Sequence, residues 1–239
     1  MNPQSPAHVI KKSLLAILSL IVIYTVSFNF IDIPCAQLMH HLFGPIASSD
    51  QKTVLSPNSL TDTGLSFILC HASLWIKTIF SPSHWLVLSC IFILISFGLT
   101  FAKKSRLGLK NFSLIFLKLG SIGILAFILT GILKVLLARY RPIEFFTHGL
   151  YGFHFLSDRW AFDSTPSGHT SMAFAILGGL ASQVKKTWLW ILIIIICLII
   201  AASRLILNNH YLSDLIFGGY VGLLSVYWVN YLVQNFLKK

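Results

Sequence analysis

Charged residues are scarce in this chain. Only 10% of its 239 residues are Asp, Glu, Lys or Arg, whereas 56% are hydrophobic, and the mean hydropathy is +0.79. Soluble globular domains carry about 25% charged residues. The composition therefore excludes an ordinary soluble domain and predicts an integral membrane protein, with residues 1–239 forming a single domain. The net charge of +11 does not indicate nucleic-acid binding, because the basic residues cluster between apolar runs.

Cysteine is scarce as well. Four cysteines are too few for a disulfide scaffold, although Cys35 and Cys70 share one polar-containing segment and would be able to pair in an oxidising compartment. The chain also lacks a His-Glu-x-x-His helix and a paired-cysteine metal site. We expect neither a metal nor a cofactor.

Long apolar runs are abundant, and they predict an all-α polytopic protein with a bundle of six transmembrane helices. The runs lie near residues 13–33, 84–102, 112–133, 167–184, 187–206 and 213–236. An uncleaved first span is favoured over a signal peptide, because its apolar stretch is too long and no small-x-small cleavage site follows.

Basic clusters define the expected orientation. With six spans, Lys11–Lys12, the cluster from Lys103 to Lys110, Lys185–Lys186 and Lys238–Lys239 all fall on one side. The positive-inside rule makes that side cytoplasmic. We therefore expect a multi-pass protein of the cytoplasmic (inner) membrane with both termini inside, and the opposite ends of the spans on the periplasmic, or outer, side.

Two segments fall on the predicted outer side. Residues 34–83 surround a polar centre, Ser48 to Lys52, and the amphipathic pattern from Leu65 to Ile79 predicts an interfacial helix that shapes a lipid entrance or simply covers the bundle. Residues 140–165 are rich in aromatic side chains, which is typical of the headgroup level. In this loop we expect Asp158 and Asp163 to be structural, because a carboxylate repels phosphate. Arg139 is interpreted as a headgroup contact.

Three clusters within residues 134–214 carry the chemistry. The first is Lys134 with Arg141-Pro142, the second is Pro166 to His169, and the third is Ser203-Arg204 with His210 and Asp214. Seven residues separate Lys134 from Arg141, which predicts two turns along one helix face, and four separate His210 from Asp214. Together the clusters supply three cations, two imidazoles and a carboxylate. This set suits phosphate-ester cleavage without a metal.

The clusters read Lys-x6-Arg-Pro, Pro-Ser-Gly-His and Ser-Arg-x5-His-x3-Asp, and in this form the chain resembles the type 2 phosphatidic acid phosphatase (PAP2) family. Every motif position matches, over about a third of the chain, and three motifs in the right order are far more specific than one. The resemblance implies a six-helix membrane bundle in which the catalytic histidine is phosphorylated and the phosphohistidine is then hydrolysed. Within this family, the compact six-span chain resembles the bacterial membrane lipid phosphatases.

The residues themselves suggest a role for each position. His210 is the expected nucleophile, and Asp214 is expected to orient its ring. His169 is the expected general acid. The remaining positions are expected to bind phosphate, through side-chain cations, a hydroxyl and a helix N-terminus: Lys134, Arg141, Arg204, Ser167 and Gly168.

The expected function is hydrolysis of a lipid phosphomonoester or pyrophosphate at the outer face of the membrane. The candidate substrates are lipid A, undecaprenyl pyrophosphate, phosphatidylglycerophosphate and phosphatidic acid, and the motifs do not choose among them. A lipid phosphotransferase would use the same phosphohistidine with a lipid acceptor. A vanadium haloperoxidase shares the motifs but is soluble. A non-catalytic transporter would not need the two histidines and Asp214 at these spacings.

Overall fold

The computed structural model describes residues 6–43, 64–101, 107–184 and 186–236. Within these ranges the chain is almost entirely helical and contains no β-strand, which confirms the predicted all-α fold class. The α-helices are α1 Pro6–Val26, α2 Asp32–Phe43, α3 Gly64–Ile79, α4 Pro82–Phe101, α5 Leu107–Leu137, α6 Pro142–His148, α7 Gly168–Gln183, α8 Thr187–Ile206 and α9 Leu212–Phe236. A π-helical turn, Ser27–Ile31, joins α1 to α2.

The predicted apolar runs coincide with helices. Five helical stretches among the described residues are long and apolar enough to cross a membrane: Ala7–Phe43, Leu65–Phe101, Lys110–Leu137, Thr187–Ile206 and Leu212–Asn235. The remaining predicted span corresponds to α7, which has only 16 residues, whereas a full span needs about 20. The chain is thus a polytopic membrane protein, and the count of six spans stays a prediction.

Helix α7 forms the centre of the bundle. It packs against α5, α8 and α9, and most of its residues are buried. The largest apolar cluster joins Ile122 and Ala126 of α5, Met172 and Ile176 of α7, and Val226 of α9. Close packing of this kind holds helices together in a membrane, where lipid is as apolar as the side chains themselves.

Two glycines bring α9 against the start of α7. A Cβ atom at Gly218 would lie 2.6 Å from the carbonyl oxygen of Ser167, and one at Gly222 would lie 2.5 Å from that of Ser171. Such distances leave no room for a side chain. The glycines therefore allow the backbones to touch just where the Pro-Ser-Gly-His segment begins the helix.

The predicted outer segment contains α2 and α3, while its polar centre, Ser48 to Lys52, lies outside the described residues. Part of the basic clusters, namely 103–106, 185 and 238–239, also lies outside them. Helix α3 packs on α8 and buries Cys70 and Ser73. Cys35 and Cys70 are free thiols and are not joined to each other.

Candidate active site

The three sequence clusters meet in one pocket of about 280 Å³. Its lining includes Lys134 and Arg141 of the first cluster, Gly168 and His169 of the second, and Arg204 and His210 of the third. The wall is completed by residues that the motifs do not contain: Lys77, Pro82, Phe127, Thr130, Gly131, Trp160, Asp163, Met172 and Asn209. The three predicted cations and both imidazoles, with Lys77 as a fourth basic residue, thus line a single small space.

His210 is buried, and its tautomer is fixed by the backbone. Its Nδ1 lies 2.8 Å from the carbonyl oxygen of Ser164. Because a carbonyl can only accept a hydrogen bond, Nδ1 carries the proton and Nε2 keeps its lone pair. Burial, with the charges of Arg141 and Lys134, lowers the pKa of His210 well below its usual value. The ring is therefore neutral at physiological pH, as a nucleophile must be.

Asp214 lies behind His210, but its position differs from the simple expectation. Its carboxylate is 4.0 Å from Nδ1 of His210, so the direct hydrogen bond of the ring belongs to Ser164. The hydroxyl of Ser164 in turn donates to Asp214 at 2.6 Å, and the backbone N–H of Tyr211 donates at 2.8 Å. Asp214 thus lies near the histidine without a hydrogen bond to its ring, and it fixes the residue whose carbonyl orients that ring.

His169 is oriented by α3. Its Nε2 lies 3.2 Å from the carbonyl oxygen of Lys77. The carbonyl again requires a protonated nitrogen, so Nδ1 is the atom that remains available for proton transfer. The helix that the sequence suggests as an interfacial cover therefore supplies a backbone acceptor to a motif side chain.

The cations are held by backbone carbonyls. Arg141 donates to Trp160 at 2.9 Å and to Asp163 at 3.1 Å, and it stacks over the Trp160 ring at 4.4 Å. Arg204 donates to the carbonyl of Ser73 at 3.2 Å, and Lys134 donates to that of Asp163 at 2.9 Å. These contacts position the positive groups without cancelling their charge.

The carboxylate of Asp163 also lies in this pocket. It forms an ion pair with Lys134 and a longer one with Arg141, at 3.4 Å. Asp163 therefore lies among the cations predicted to bind phosphate, and its expected structural role stays a prediction. In the sequence, the feature that indicates this location is the position of Asp163, three residues before Pro166 and in the loop between the first two motifs.

The helical spacing that suggested the first motif is not present in the structure. Helix α5 ends at Leu137, and Ala138 has a left-handed backbone, with φ at 42°. Lys134 and Arg141 still reach one pocket, but from a helix end and the loop after it. The prediction that Lys134 and Arg141 lie two turns apart on one helix is wrong, because the helix ends between these two residues.

Arg139 was interpreted as a headgroup contact, and this interpretation was wrong. The side chain is fully buried between the carboxylates of Asp32 and Asp214, at 2.8 and 2.6 Å. Burial alone would lower the pKa of Arg139, but the nearby charges, Asp214 first among them, outweigh burial and raise it. Its guanidinium is therefore a permanent buried cation.

The second motif contributes through Gly168 and His169. Gly168 lines the pocket at the first residue of α7, where helix N–H groups favour anions. Ser167 is buried, and its hydroxyl contacts Thr170 at 3.1 Å. Its predicted donation to phosphate stays a prediction.

Known proteins are similar to this chain in sequence and in fold. A family model described as PAP2 superfamily matches residues 115–238, which is more than half of the chain. A lipid A 1-phosphatase of Rhizobium etli is 31% identical over 157 residues, and the match covers 61% of this chain and 66% of that protein, just under two thirds of its length. The crystal structure of a transmembrane PAP2-type phosphatidylglycerolphosphate phosphatase from Bacillus subtilis has a similar fold. Its TM-score is 0.53 at 18% identity, over 94% of this chain and 96% of that one. The family match includes all three clusters that line the pocket, and the chain belongs to the PAP2 superfamily.

Proposed function

We propose that this protein is a metal-independent lipid phosphatase that hydrolyses a lipid phosphomonoester or pyrophosphate through a phosphohistidine on His210. We place the reaction at the outer face of the cytoplasmic membrane, with both termini in the cytoplasm. The lipid chains stay in the bilayer while the phosphate enters the pocket. The basic clusters of the sequence support this orientation.

In the first half-reaction, Nε2 of His210 attacks phosphorus and the bond to the lipid oxygen breaks. Lys134, Arg141 and Arg204 stabilise the charge on the three non-bridging oxygens, as preorganised cations do in a water-poor site. His169 takes up a proton on Nδ1 as the anionic phosphate enters the pocket, and it gives that proton to the leaving oxygen. The product of this step is the dephosphorylated lipid, and the phosphoryl group remains on the ring.

In the second half-reaction, water replaces the lipid. His169, now neutral, takes a proton from the water as it attacks phosphorus, and the bond to Nε2 breaks. Inorganic phosphate leaves and His210 regains its lone pair. Asp214 steadies the ring through Ser164 in both steps.

One observation carries the proposal: the lone pair of a neutral, buried histidine faces the same pocket as three cations and a second histidine. Family membership and the similarity to the lipid A 1-phosphatase support the substrate class. We retain four candidate lipids: lipid A, undecaprenyl pyrophosphate, phosphatidylglycerophosphate and phosphatidic acid.

The test offers the purified protein each lipid phosphate and measures inorganic phosphate release, with and without EDTA. We expect release from at least one lipid, in the presence of the chelator, and an acid-labile phosphohistidine at His210 after rapid quenching. His210→Ala should lower turnover by at least about 10⁴-fold, because no other group supplies the attacking atom. His148→Ala is the matched control, since that histidine is exposed, pairs with Glu144 and does not line the pocket.

Activity of His210→Ala within tenfold of the parent would refute the nucleophile. Loss of activity with EDTA that Mg²⁺ or Zn²⁺ restores would refute the metal-free mechanism. Phosphate release that depends on an added acceptor lipid, with the phosphate found on that lipid, would instead establish a phosphotransferase.

A further inference from the structure

A buried ion-pair chain links the N-terminal span to the nucleophile. Arg139 places one guanidinium nitrogen 2.6 Å from Asp214 and the other 2.8 Å from Asp32, and all three side chains are fully buried. Asp32 begins α2, directly after the π-helical turn Ser27–Ile31. Turns of this kind are rare and are often found at functional sites.

Both carboxylates are surrounded by donors. Asp32 accepts from the Ser27 hydroxyl at 3.0 Å and from the Ser213 backbone N–H at 2.9 Å, as well as from Arg139. Asp214 accepts from the Ser164 hydroxyl and from the Tyr211 backbone N–H, again in addition to Arg139. These hydrogen bonds and the two ion pairs hold both carboxylates in place around Arg139.

The charges of this chain do not cancel. Arg139 carries one positive charge and the two carboxylates carry one negative charge each, so the three side chains together have one net negative charge, and the Asp214 carboxylate among them lies 4.0 Å from Nδ1 of His210. Without Asp32, Arg139 would neutralise Asp214, and the ring would face an ion pair with no net charge. Coulombic interactions of this kind are strong in a buried site.

The reaction needs that charge. When Nε2 bonds to phosphorus while Nδ1 keeps its proton, the imidazole ring becomes positively charged. A net negative charge behind the ring stabilises the phosphorylated form and the transition state that leads to it. We infer that Asp32 is a positioning residue of the active site: because it shares the charge of Arg139 with Asp214, the three side chains keep a net negative charge that balances the cationic ring of His210.

This inference rests on the proposed role of His210 and adds a residue from outside the family match, which begins at residue 115. Asp32 reaches α9 directly as well, through the backbone N–H and the hydroxyl of Ser213. The N-terminal span is therefore part of the catalytic apparatus and not only a membrane anchor.

The test compares vanadate with inorganic phosphate, two anions that differ in whether they bond to His210. Vanadate can bond to the Nε2 of His210, whereas inorganic phosphate binds only to the cations. In the purified full-length protein, Asp32→Asn should weaken vanadate binding on the order of tenfold and change phosphate binding less than threefold, as measured by vanadium NMR and by competition with phosphate. The turnover number should fall with vanadate affinity while KM stays near the parent value.

A second variant keeps the test independent of folding. In Asp32→Asn/Arg139→Gln both charges are removed and Asp214 alone supplies the negative charge, so the double variant should regain vanadate affinity relative to Asp32→Asn. A purely structural role predicts the opposite, since two buried contacts are lost. Ser19→Ala, which removes another contact between the N-terminal span and α9, at 3.1 Å to Tyr220, should behave like the parent.

Three results would overturn the inference: parent-like vanadate affinity in Asp32→Asn, equal weakening of vanadate and phosphate, or a stably folded double variant that binds vanadate no better than Asp32→Asn. A parent that binds vanadate no more tightly than phosphate would refute the nucleophile and the inference with it. A parent that binds vanadate tightly but releases phosphate from no lipid would refute the proposed function alone, because the binding comparison does not depend on turnover.

Discussion

At the scale of single residues, Asp163 is the carboxylate that would compete with a phosphate for the predicted cations. Its carboxylate pairs with Lys134 and Arg141, the two cations that a phosphate would otherwise contact freely. Asp163→Asn removes this competition but keeps the backbone carbonyl that holds both cations. We expect inorganic phosphate to inhibit this variant about fivefold more strongly, since a partly exposed ion pair contributes roughly 1 kcal/mol.

Product inhibition curves measure this effect, and Asp158→Asn is the matched control. Asp158 is an exposed carboxylate in the same loop that does not line the pocket. Phosphate inhibition unchanged in Asp163→Asn, or changed equally in both variants, would show that the carboxylate does not compete with the ligand.

The motif residues of the pocket were predictable from the sequence, because each motif contains its own chemistry within a few positions. Arg139 and Asp32 were not. They lie 107 positions apart, and nothing local distinguishes a buried pair from two interfacial charges. The one available signal was Asp32 itself, a carboxylate at the end of an apolar span, where an ionised group needs a partner.

At the scale of helices, the contact between α7 and α9 depends on missing side chains. Gly218→Ala would place a methyl group 2.6 Å from the Ser167 carbonyl, so the start of α7 must shift away from α9. We expect a loss of about 1–3 kcal/mol of stability, as for other overpacked sites. Turnover should fall at least tenfold, because Gly168 and His169 begin that helix.

Gly219→Ala is the control for this variant, since its added methyl group would meet the Phe174 ring at an ordinary 3.8 Å. Thermal unfolding in detergent and phosphate release measure the two effects. If both variants matched the parent in stability and turnover, the contact would not position the site.

Helix positions followed well from the apolar runs, and the boundaries of α8 agree with the predicted span. The role of α3 did not follow. Its amphipathic pattern predicts an interfacial helix equally well whether or not the helix touches the site. Its contributions to Arg204 and His169 are backbone carbonyls, which no side-chain pattern encodes.

For the whole molecule, orientation in the membrane is the property most open to test. With six spans, Asn209 beside the pocket should face the periplasm and Lys186 between α7 and α8 should face the cytoplasm. Single cysteines at these positions, in a background without the four native ones, should differ in intact cells. An impermeant thiol reagent should label the first and spare the second.

Lysed cells serve as the control, because both cysteines should then react. The reverse pattern in intact cells would move the chemistry to the cytoplasmic face. Labelling of both positions in intact cells would mean that α8, the helix between them, does not separate the two faces, and the six-span topology would be wrong.

The residues that line the pocket come from two parts of the chain, one before the family-matched region and one within it. Lys77 and Pro82 line the pocket but precede the family-matched region, whereas the motif residues lie within it. A chimera that takes its first 110 residues from a relative would therefore replace this part of the pocket wall while keeping the motif residues. The proposed role of Asp32 predicts that such a graft remains active only if the donor segment brings a carboxylate to that place, so it restricts recombination between relatives at a position far from any motif.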